Sequence, residues 1–179
     1  EHLGSFQVEL IRSRTANVMN DRLLLAGMLS SATLINRFFP PAQVYKEFYE
    51  SSENLFDLLQ FPDIWILGYF KWELEFLETL GFGLDLEKCT VTGSREDLKF
   101  ISPKSGCAVS QAAAGDWSSK LLPYPVAASG QVNSLEDILD GLQVSQFFLE
   151  RKVLTAFGME QLPNARSRFI YLLEKKIRN

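Results

Sequence analysis

The sequence IWILGYFKWELEFLETL, residues 64–80, is the strongest helix signal in the chain. Its apolar residues recur at helical spacing on two adjacent lines, which together form one wide face. These residues are Phe70, Leu74 and Leu77 on one line and Tyr69, Trp72, Phe76 and Leu80 on the other. The sequence therefore predicts a buried helix, which ends where Gly81 and Gly83 supply a stop and a flexible turn.

Two more helices are predicted on the N-terminal side of this segment. The Asn20-Asp21 pair supplies a capping residue for the first, which runs to about Phe39 and ends at the prolines that follow. The second is predicted to start at Ser51 or Ser52 and to be broken by Pro62.

Two long helices are predicted on the C-terminal side. An S-x-x-D start signal occupies residues 134–137, and the apolar pattern behind it continues to Phe157, where Gly158 terminates the helix. Gly141 lies inside this helix at a cost of about 1 kcal/mol relative to alanine. The last helix begins near Pro163 and runs to the end of the sequence.

Residues 84–110 have a different character. They hold β-type residues at 90–92 and 100–101, turn residues after each group, and no long helical period. This pattern predicts a small β-hairpin inserted between helices. Residues 112–122 are predicted to form a short helix. The expected fold is mainly α: a bundle of about five helices with a small β appendage.

The composition is that of an ordinary globular protein, with 46% hydrophobic and 22% charged residues in 179. The formal net charge of −4 argues against a protein that coats DNA by bulk charge, although it leaves room for a local basic face. The longest apolar-rich run, residues 23–35, is shorter than the ~20 residues that a membrane-spanning helix needs. Two cysteines are typical of reduced thiols in a cytosolic protein. We therefore expect a cytoplasmic protein without a membrane segment.

The sequence offers little for catalysis. His2 is its single histidine, and the short motifs of serine hydrolases, zinc proteases, phosphate loops and dinucleotide sites do not occur. The carboxylates of Glu73, Glu75 and Glu78 are assigned to solvated helix faces. We therefore predict no enzymatic activity, no cofactor and no small-molecule substrate.

The stretch CTVTGSREDLKFISPKSGCAVSQAAA, residues 89–114, has the outline of a zinc ribbon. A ribbon places two CxxC pairs about 15–20 residues apart, because four ligands converge from two turns. When that frame starts at Cys89, the remaining ligand positions are Thr92, Ser110 and Ala113. None of these three is a normal zinc ligand, and Cys107 lies off the frame. A disulfide between the two cysteines is disfavoured in a reducing cytosol.

Two interpretations of this hairpin stay open. In the first, it is metal-free with both thiols reduced, and an apolar core replaces the metal: Val91, Leu98, Phe100 and Ile101. In the second, it is a metal-dependent regulatory or nucleic-acid module, which stoichiometric zinc in the purified protein would identify.

The predicted last helix carries the strongest electrostatic signal. Its apolar residues cluster on one side, and three cations fall opposite them, flanked by a fourth: Arg168, Lys175 and Arg178, with Lys176. Such a stripe is suited to phosphate groups or to an acidic peptide. The alternative is a solvated basic face that complements the C-terminal end of the helix dipole.

Two strings are specific in combination: WELEFLETLGFGLDLEKCTVTGSREDLKFISPKSGCAVS at residues 72–110 and KLLPYP at residues 120–125. In order and spacing they resemble the proteobacterial branch of the RecO family of DNA repair and recombination mediators. That family combines an N-terminal OB-fold with a helical domain that contains a zinc-ribbon-like insertion. The resemblance implies that residues 1–19 are the end of a truncated OB-fold or a linker strand. It also implies that residues 20–179 are the helical domain, with residues 84–114 as the insertion.

The resemblance extends to the ribbon frame. Other members of the family carry CxxC…CxxC ligands at the positions that correspond here to Cys89, Thr92, Ser110 and Ala113. The resemblance therefore implies a ribbon-like hairpin that has lost its metal.

The resemblance also implies a non-enzymatic function. Proteins of this family bind single-stranded and double-stranded DNA and anneal complementary strands. They act with RecR and RecF to load RecA at gaps, and they engage the acidic tail of the single-stranded DNA-binding protein. Much of the DNA and RecR contact belongs to the OB-fold, whereas the helical domain receives the tail. The expected cations for the tail are Arg168, Lys175 and Arg178, and the expected location is the cytoplasm, in association with the nucleoid. The alternative is a structural protein–protein interaction domain with no DNA binding of its own.

Overall fold

A computed structural model describes residues 5, 7–9 and 13–179 of the chain. The helices are α1 (Arg22–Phe38), α2 (Lys46–Asp57), α3 (Pro62–Thr79), α4 (Gln111–Ala114), α5 (Leu135–Phe148), α6 (Leu154–Phe157) and α7 (Asn164–Arg178). The strands are β1 (Leu98–Ile101), β2 (Ala108–Ser110) and β3 (Leu122–Pro123). The predicted class, mainly α with a small inserted β element, is confirmed. None of the helices in this described part combines the length and the apolar character needed to cross a membrane.

The predicted central helix is α3, and its apolar face is buried as expected. Tyr69, Phe70 and Phe76 are fully buried, and Trp72 is 2% exposed. Helices α1, α2 and α5 pack against α3, while α7 packs against α1 and α5. Pro62 lies in the first turn of α3, where its missing N–H removes no helical hydrogen bond. The proline that was expected to break the second helix therefore begins the third.

Two glycines let neighbouring helices approach α3 closely. A Cβ atom on Gly27 of α1 would lie 2.4 Å from the Trp65 ring, and a Cβ atom on Gly141 of α5 would lie 2.7 Å from the Phe70 ring. The sequence alone showed only the cost of a glycine within a helix. The packing explains why a glycine stands at residue 141.

The predicted start of the second helix, at Ser51 or Ser52, is wrong, because α2 already begins at Lys46. Ser52 lies inside the helix and is buried. Its hydroxyl donates to the Phe48 carbonyl at 2.7 Å and accepts a hydrogen bond from Trp72 Nε1 at 3.0 Å. The serine therefore joins α2 to α3 instead of capping a helix, and the true start of α2 has no side-chain cap.

Other predicted helix ends are confirmed. Asp21 accepts hydrogen bonds from two N–H groups of the first turn of α1. Ser134 and Asp137 form a capping box at the start of α5. From there the helix continues through a π turn, Leu149–Val153, into α6 and ends at Gly158, whose φ of 64° is left-handed.

The insertion forms an antiparallel sheet in which β1 lies between β2 and β3. Phe100 of β1 pairs with Val109 of β2 on one side and with Pro123 of β3 on the other. The short helix predicted at residues 112–122 is α4 followed by a 3₁₀ stretch, Gly115–Lys120, which leads directly into β3. The sheet is therefore completed by residues that follow the predicted hairpin.

The predicted β conformation of residues 90–92 and the predicted core role of Val91 are wrong. These residues form a turn, closed by a 2.8 Å hydrogen bond from the Gly93 N–H to the Cys89 carbonyl, and Val91 is 69% exposed. The core of the insertion is instead Cys89, Val109 and Ala114, with Leu98 and Phe100 packed against them. Ile101 belongs to the main core of the helical bundle.

The expected end of an OB-fold, residues 1–19, lies partly outside the described residues. Within its described portion, Thr15–Asn17 form a 3₁₀ turn. The Arg14 guanidinium pairs with Glu53 at 2.8 Å and with Asp57 at 3.0 Å. These ion pairs attach the segment before α1 to the surface of α2.

Candidate functional site

The ligand positions of the ribbon frame come together where the turn that holds Cys89 and Thr92 meets the start of α4. Cys89 is 1% exposed, and its Sγ accepts hydrogen bonds from the Ser110 N–H at 3.3 Å and from the Ser110 hydroxyl at 3.4 Å. The Ala113 N–H donates to the same hydroxyl oxygen at 3.4 Å. The fold thus brings Cys89, Ser110 and Ala113 of the frame into contact, although two of these three are not metal ligands.

These contacts change the acidity of the thiol. Burial raises the pKa of Cys89, but hydrogen bonds from the side chains and backbone of Ser110 and Thr92 outweigh that effect and lower the pKa to about 6. Each donor stabilises the negatively charged sulfur relative to the neutral thiol. In a zinc ribbon the metal stabilises the thiolates, whereas here N–H and O–H groups do so.

The residues of this frame do not fit a zinc ion. Structural zinc sites use four thiolate or imidazole ligands, whereas the frame offers one thiol, two hydroxyls and the methyl group of Ala113. No group of three or more His, Cys, Asp or Glu residues in the described ranges is arranged to hold a metal ion. Cys107 is half-buried, with its N–H donating to Ser105 Oγ at 3.3 Å, and both thiols are free.

Sequence patterning missed a buried ion pair. Glu73, which was assigned to a solvated helix face, is 0% exposed, and Arg166 is 1% exposed. The guanidinium donates from Nε to Glu73 Oε2 at 2.8 Å and from Nη2 to Glu73 Oε1 at 2.7 Å. The prediction for Glu73 is therefore wrong, because the carboxylate has a bidentate partner inside the core. Arg166 lies three residues before Phe169, a spacing that places both on the buried side of α7. This spacing was the one signal in the sequence that Arg166 is buried.

The ion pair is the centre of a polar network inside the bundle. Arg166 also donates to the Leu142 carbonyl at 3.0 Å and to Gln146 at 3.1 Å. The Tyr69 hydroxyl donates to Glu73 at 3.2 Å, and burial raises its pKa well above the ordinary value. The network joins α3, α5 and α7, and its charged groups, Glu73 and Arg166, are buried, so it serves packing instead of an exposed site.

The four predicted cations lie on the outside of α7: Arg168, Lys175, Lys176 and Arg178. The opposite side of α7 is buried through Phe169 and Leu173. Arg178 pairs with Glu174 at 3.2 Å, and the other three have no carboxylate partner within the described ranges. The structure therefore presents these cations to solvent, and their binding role stays a prediction.

An apolar groove of about 490 Å³ lies between the end of α1 and the exposed side of α2. Its aromatic lining residues are Phe39, Tyr45, Phe48, Tyr49 and Phe56. Lys46 and Glu53 are charged residues at this groove, and none of the four cations of α7 lines it. The sequence did not reveal the groove, because the predicted start of the second helix placed residues 46–50 outside any helix.

Comparison with known proteins identifies the family. The family described as "Recombination protein O C terminal" matches residues 19–158. "DNA repair protein RecO" of Ruegeria sp. (strain TM1040) is 42% identical over 179 residues, which cover 99% of this chain and 74% of that protein. The protein of the same name from Jannaschia sp. (strain CCS1) is 41% identical over 177 residues, or 99% of this chain and 72% of the relative.

A third relative gives the same result. "DNA repair protein RecO" of Cereibacter sphaeroides (strain ATCC 17029 / ATH 2.4.9) is 43% identical over 176 residues, covering 98% of this chain and 73% of that protein. No solved structure matches the chain. The family model covers residues 19–158 and the similarity to these relatives extends over nearly the whole chain, so the chain belongs to the RecO family.

Proposed function

We propose that this chain acts in DNA repair and recombination, as the helical part of a mediator that has no enzymatic activity of its own. The observation that carries the proposal is its similarity, over 98–99% of its length, to bacterial proteins named DNA repair protein RecO. The described residues fit a binding role, because the cations of α7 and the apolar groove are exposed. The Glu73–Arg166 ion pair, by contrast, is buried in the core.

We further propose that the protein binds single-stranded and double-stranded DNA, anneals complementary strands and, with RecR and RecF, loads RecA at gaps. Its place would then be the cytoplasm, in association with the nucleoid. The exposed cations of α7 support this proposal, since contacts with backbone phosphates supply most of the affinity of non-specific DNA binding.

A titration of a fluorescent single strand with the chain, at several salt concentrations, tests this proposal. We expect binding that weakens as salt rises, together with faster annealing when the complementary strand is added. Absence of DNA binding at low salt, while RecR is still bound, would support the alternative of a protein–protein interaction domain. The apolar groove favours that alternative, because exposed aromatic side chains are typical of protein interfaces.

We also propose that the helical domain receives the acidic, aromatic-ended tail of the single-stranded DNA-binding protein. Such a ligand needs cations for its carboxylates and an apolar pocket for its end. Arg168, Lys175 and Arg178 offer exposed cations, while the groove beside Lys46 offers an apolar surface. We propose that the carboxylates of the tail bind the cations of α7.

Charge reversal tests this assignment. A variant with Arg168→Glu, Lys175→Glu and Arg178→Glu is expected to bind a labelled tail peptide more weakly at low salt, as measured by fluorescence anisotropy. The matched control reverses three exposed lysines elsewhere: Lys71, Lys88 and Lys120. An affinity equal to that of the control would contradict the role of α7, and a selective loss with Lys46→Glu would move the site to the groove.

A further inference from the structure

A small cleft lies where the insertion meets the helical body. It has a volume of about 240 Å³ and lies between the loop that follows α3, the turn that joins β1 to β2, and the π turn that follows α5. Its functional groups belong to Lys104 and Ser105 of the turn and to Lys152 of the π turn, with Phe82 and Phe148 as its apolar wall. π turns inside helices are frequent at functional sites, because they change the direction in which side chains project.

The cleft is lined by two lysines and by no acidic residue. Lys104 is exposed and Lys152 is half-buried, and neither has a carboxylate within 4.0 Å among the described residues. Three larger cavities among the described residues each include carboxylates, such as Glu47, Glu53 and Glu150. In a chain with a net charge of −4, a cleft lined by two lysines and no acid is a local site for an anion.

Hydrogen-bond donors remain available in the cleft. Lys152 Nζ donates to the Lys104 carbonyl at 3.2 Å, which fixes the lysine against the turn and leaves its other N–H groups free. The Ser105 oxygen accepts from the Cys107 N–H, and its own hydroxyl proton has no acceptor within the described ranges. These donors belong to two lysines and one serine, which suits an oxygen-rich anion.

The backbone of the turn packs closely against the helical body at Gly106. Gly106 has a φ of +75°, and a Cβ atom there would lie 3.0 Å from Leu84 and 3.7 Å from the Phe148 ring. A side chain at this position would be strained and would occupy the junction. Glycine therefore keeps the turn close to the helical body while the lysines remain accessible from outside.

We propose that this cleft binds a phosphodiester group of a nucleic acid strand, through Lys104, Lys152 and Ser105. The inference rests on the proposed function and deepens it, because it places a DNA contact in the helical domain. The cleft is open on one side and holds two cations, which suits one phosphate of a strand that continues along the surface. Such a contact positions the strand without reading its bases.

The test compares binding of a fluorescent single-stranded oligonucleotide to the wild-type chain and to the variant Lys104→Ala/Lys152→Ala. One lost phosphate contact should reduce the slope of log K against log salt by about 0.7 and weaken binding roughly threefold to tenfold at low salt. The control Lys71→Ala/Lys120→Ala removes the same charge from two other exposed lysines. Its affinity should stay close to that of the wild-type chain.

Two further variants distinguish a lost contact from a folding defect as the cause of weaker binding. Lys104→Ala removes a side chain that has no protein partner in the described structure, so it should weaken binding at an unchanged melting temperature. Lys104→Arg/Lys152→Arg keeps the charge and should retain the affinity and most of the salt slope. Wild-type affinity in both alanine variants would overturn the cleft as a site while the proposed DNA binding stands, whereas failure of the wild-type chain to bind DNA would overturn both.

The source of the phosphate is tested separately by nuclear magnetic resonance at constant ionic strength. The amide signals of Lys104, Ser105 and Lys152 should shift on addition of the oligonucleotide and much less on addition of inorganic phosphate. Equal shifts with inorganic phosphate at the same concentration of phosphate groups would show that the cleft takes a free phosphate as readily as a strand. That result would overturn the inference.

Discussion

Arg166 and Glu73 are cut off from water, so each depends on the other and on polar groups of the neighbouring helices. Replacement of one partner leaves an uncompensated charge in the core, which costs about 3–5 kcal/mol. We therefore expect Arg166→Ala to lower the free energy of unfolding by an amount in that range. Urea unfolding, followed by circular dichroism, measures the change.

Two controls separate the lost ion pair from a general effect of truncation. Glu78→Ala removes an exposed carboxylate from the same helix and should change stability by less than about 0.5 kcal/mol. The double variant Glu73→Leu/Arg166→Met removes both charges together and should recover much of the lost stability. A small effect of Arg166→Ala, similar to that of Glu78→Ala, would contradict the role of the pair.

Cys89 should make stability depend on pH. The pKa of its thiol in the folded chain is about 6, below the value of about 8.5 for an unperturbed thiol. Between these values the unfolded chain binds more protons, so stability should rise with pH and fall as the pH drops towards 6. Unfolding measured from pH 5 to 9 in a Cys107→Ser background, with and without Cys89→Ala, isolates this effect. Identical pH profiles for the two proteins would contradict it.

At the scale of elements, the contact between α3 and α5 depends on a missing side chain. Gly141→Ala would improve helix propensity by about 1 kcal/mol. However, the added methyl group would lie 2.7 Å from the Phe70 ring, and overpacking of a core costs about 1–3 kcal/mol. We expect a net loss of stability in thermal unfolding. In a Phe70→Leu background, Gly141→Ala should lower the stability by a smaller amount. If Gly141→Ala alone raises the stability, α3 and α5 can move apart at no cost, which would contradict this prediction.

Helices were predictable where local chemistry and packing agree. The face of α3, the cap at Asp21 and the capping box at Ser134 are each visible within a few residues of sequence. The start of α2 was not predictable, because no side chain caps it and Ser52, which resembles a cap, bonds to Trp72 instead. The turn at residues 90–92 was missed because its β-branched residues favour strands unless tertiary contacts override them.

At the scale of the whole molecule, the insertion should hold its fold without metal. Its ribbon frame has one thiol, which N–H and O–H groups stabilise in place of zinc. Treatment of the purified protein with a chelator is therefore expected to leave the melting temperature unchanged. A clear fall in that temperature, or stoichiometric zinc in elemental analysis, would contradict this prediction.

The candidate sites were only partly predictable, since most of them depend on residues far apart in the chain. The cations of α7 follow from the period of one helix, and the frame at Cys89 follows from spacing alone. Periodicity cannot show that Arg166 meets Glu73, because that pairing requires the docking of α7 beside α3. For the same reason, the cleft at Lys104 and Lys152 is visible only once the insertion lies against the π turn.

The buried guanidinium also has a consequence for the outer surface of the protein. Its planar fork can satisfy Glu73, the Leu142 carbonyl and Gln146 together only at one rotation of α7 about its axis. An apolar residue at this position would tolerate several rotations with similar burial. The buried contact thus fixes the rotation of α7, and with it the direction in which Arg168 and Lys175 project from the surface.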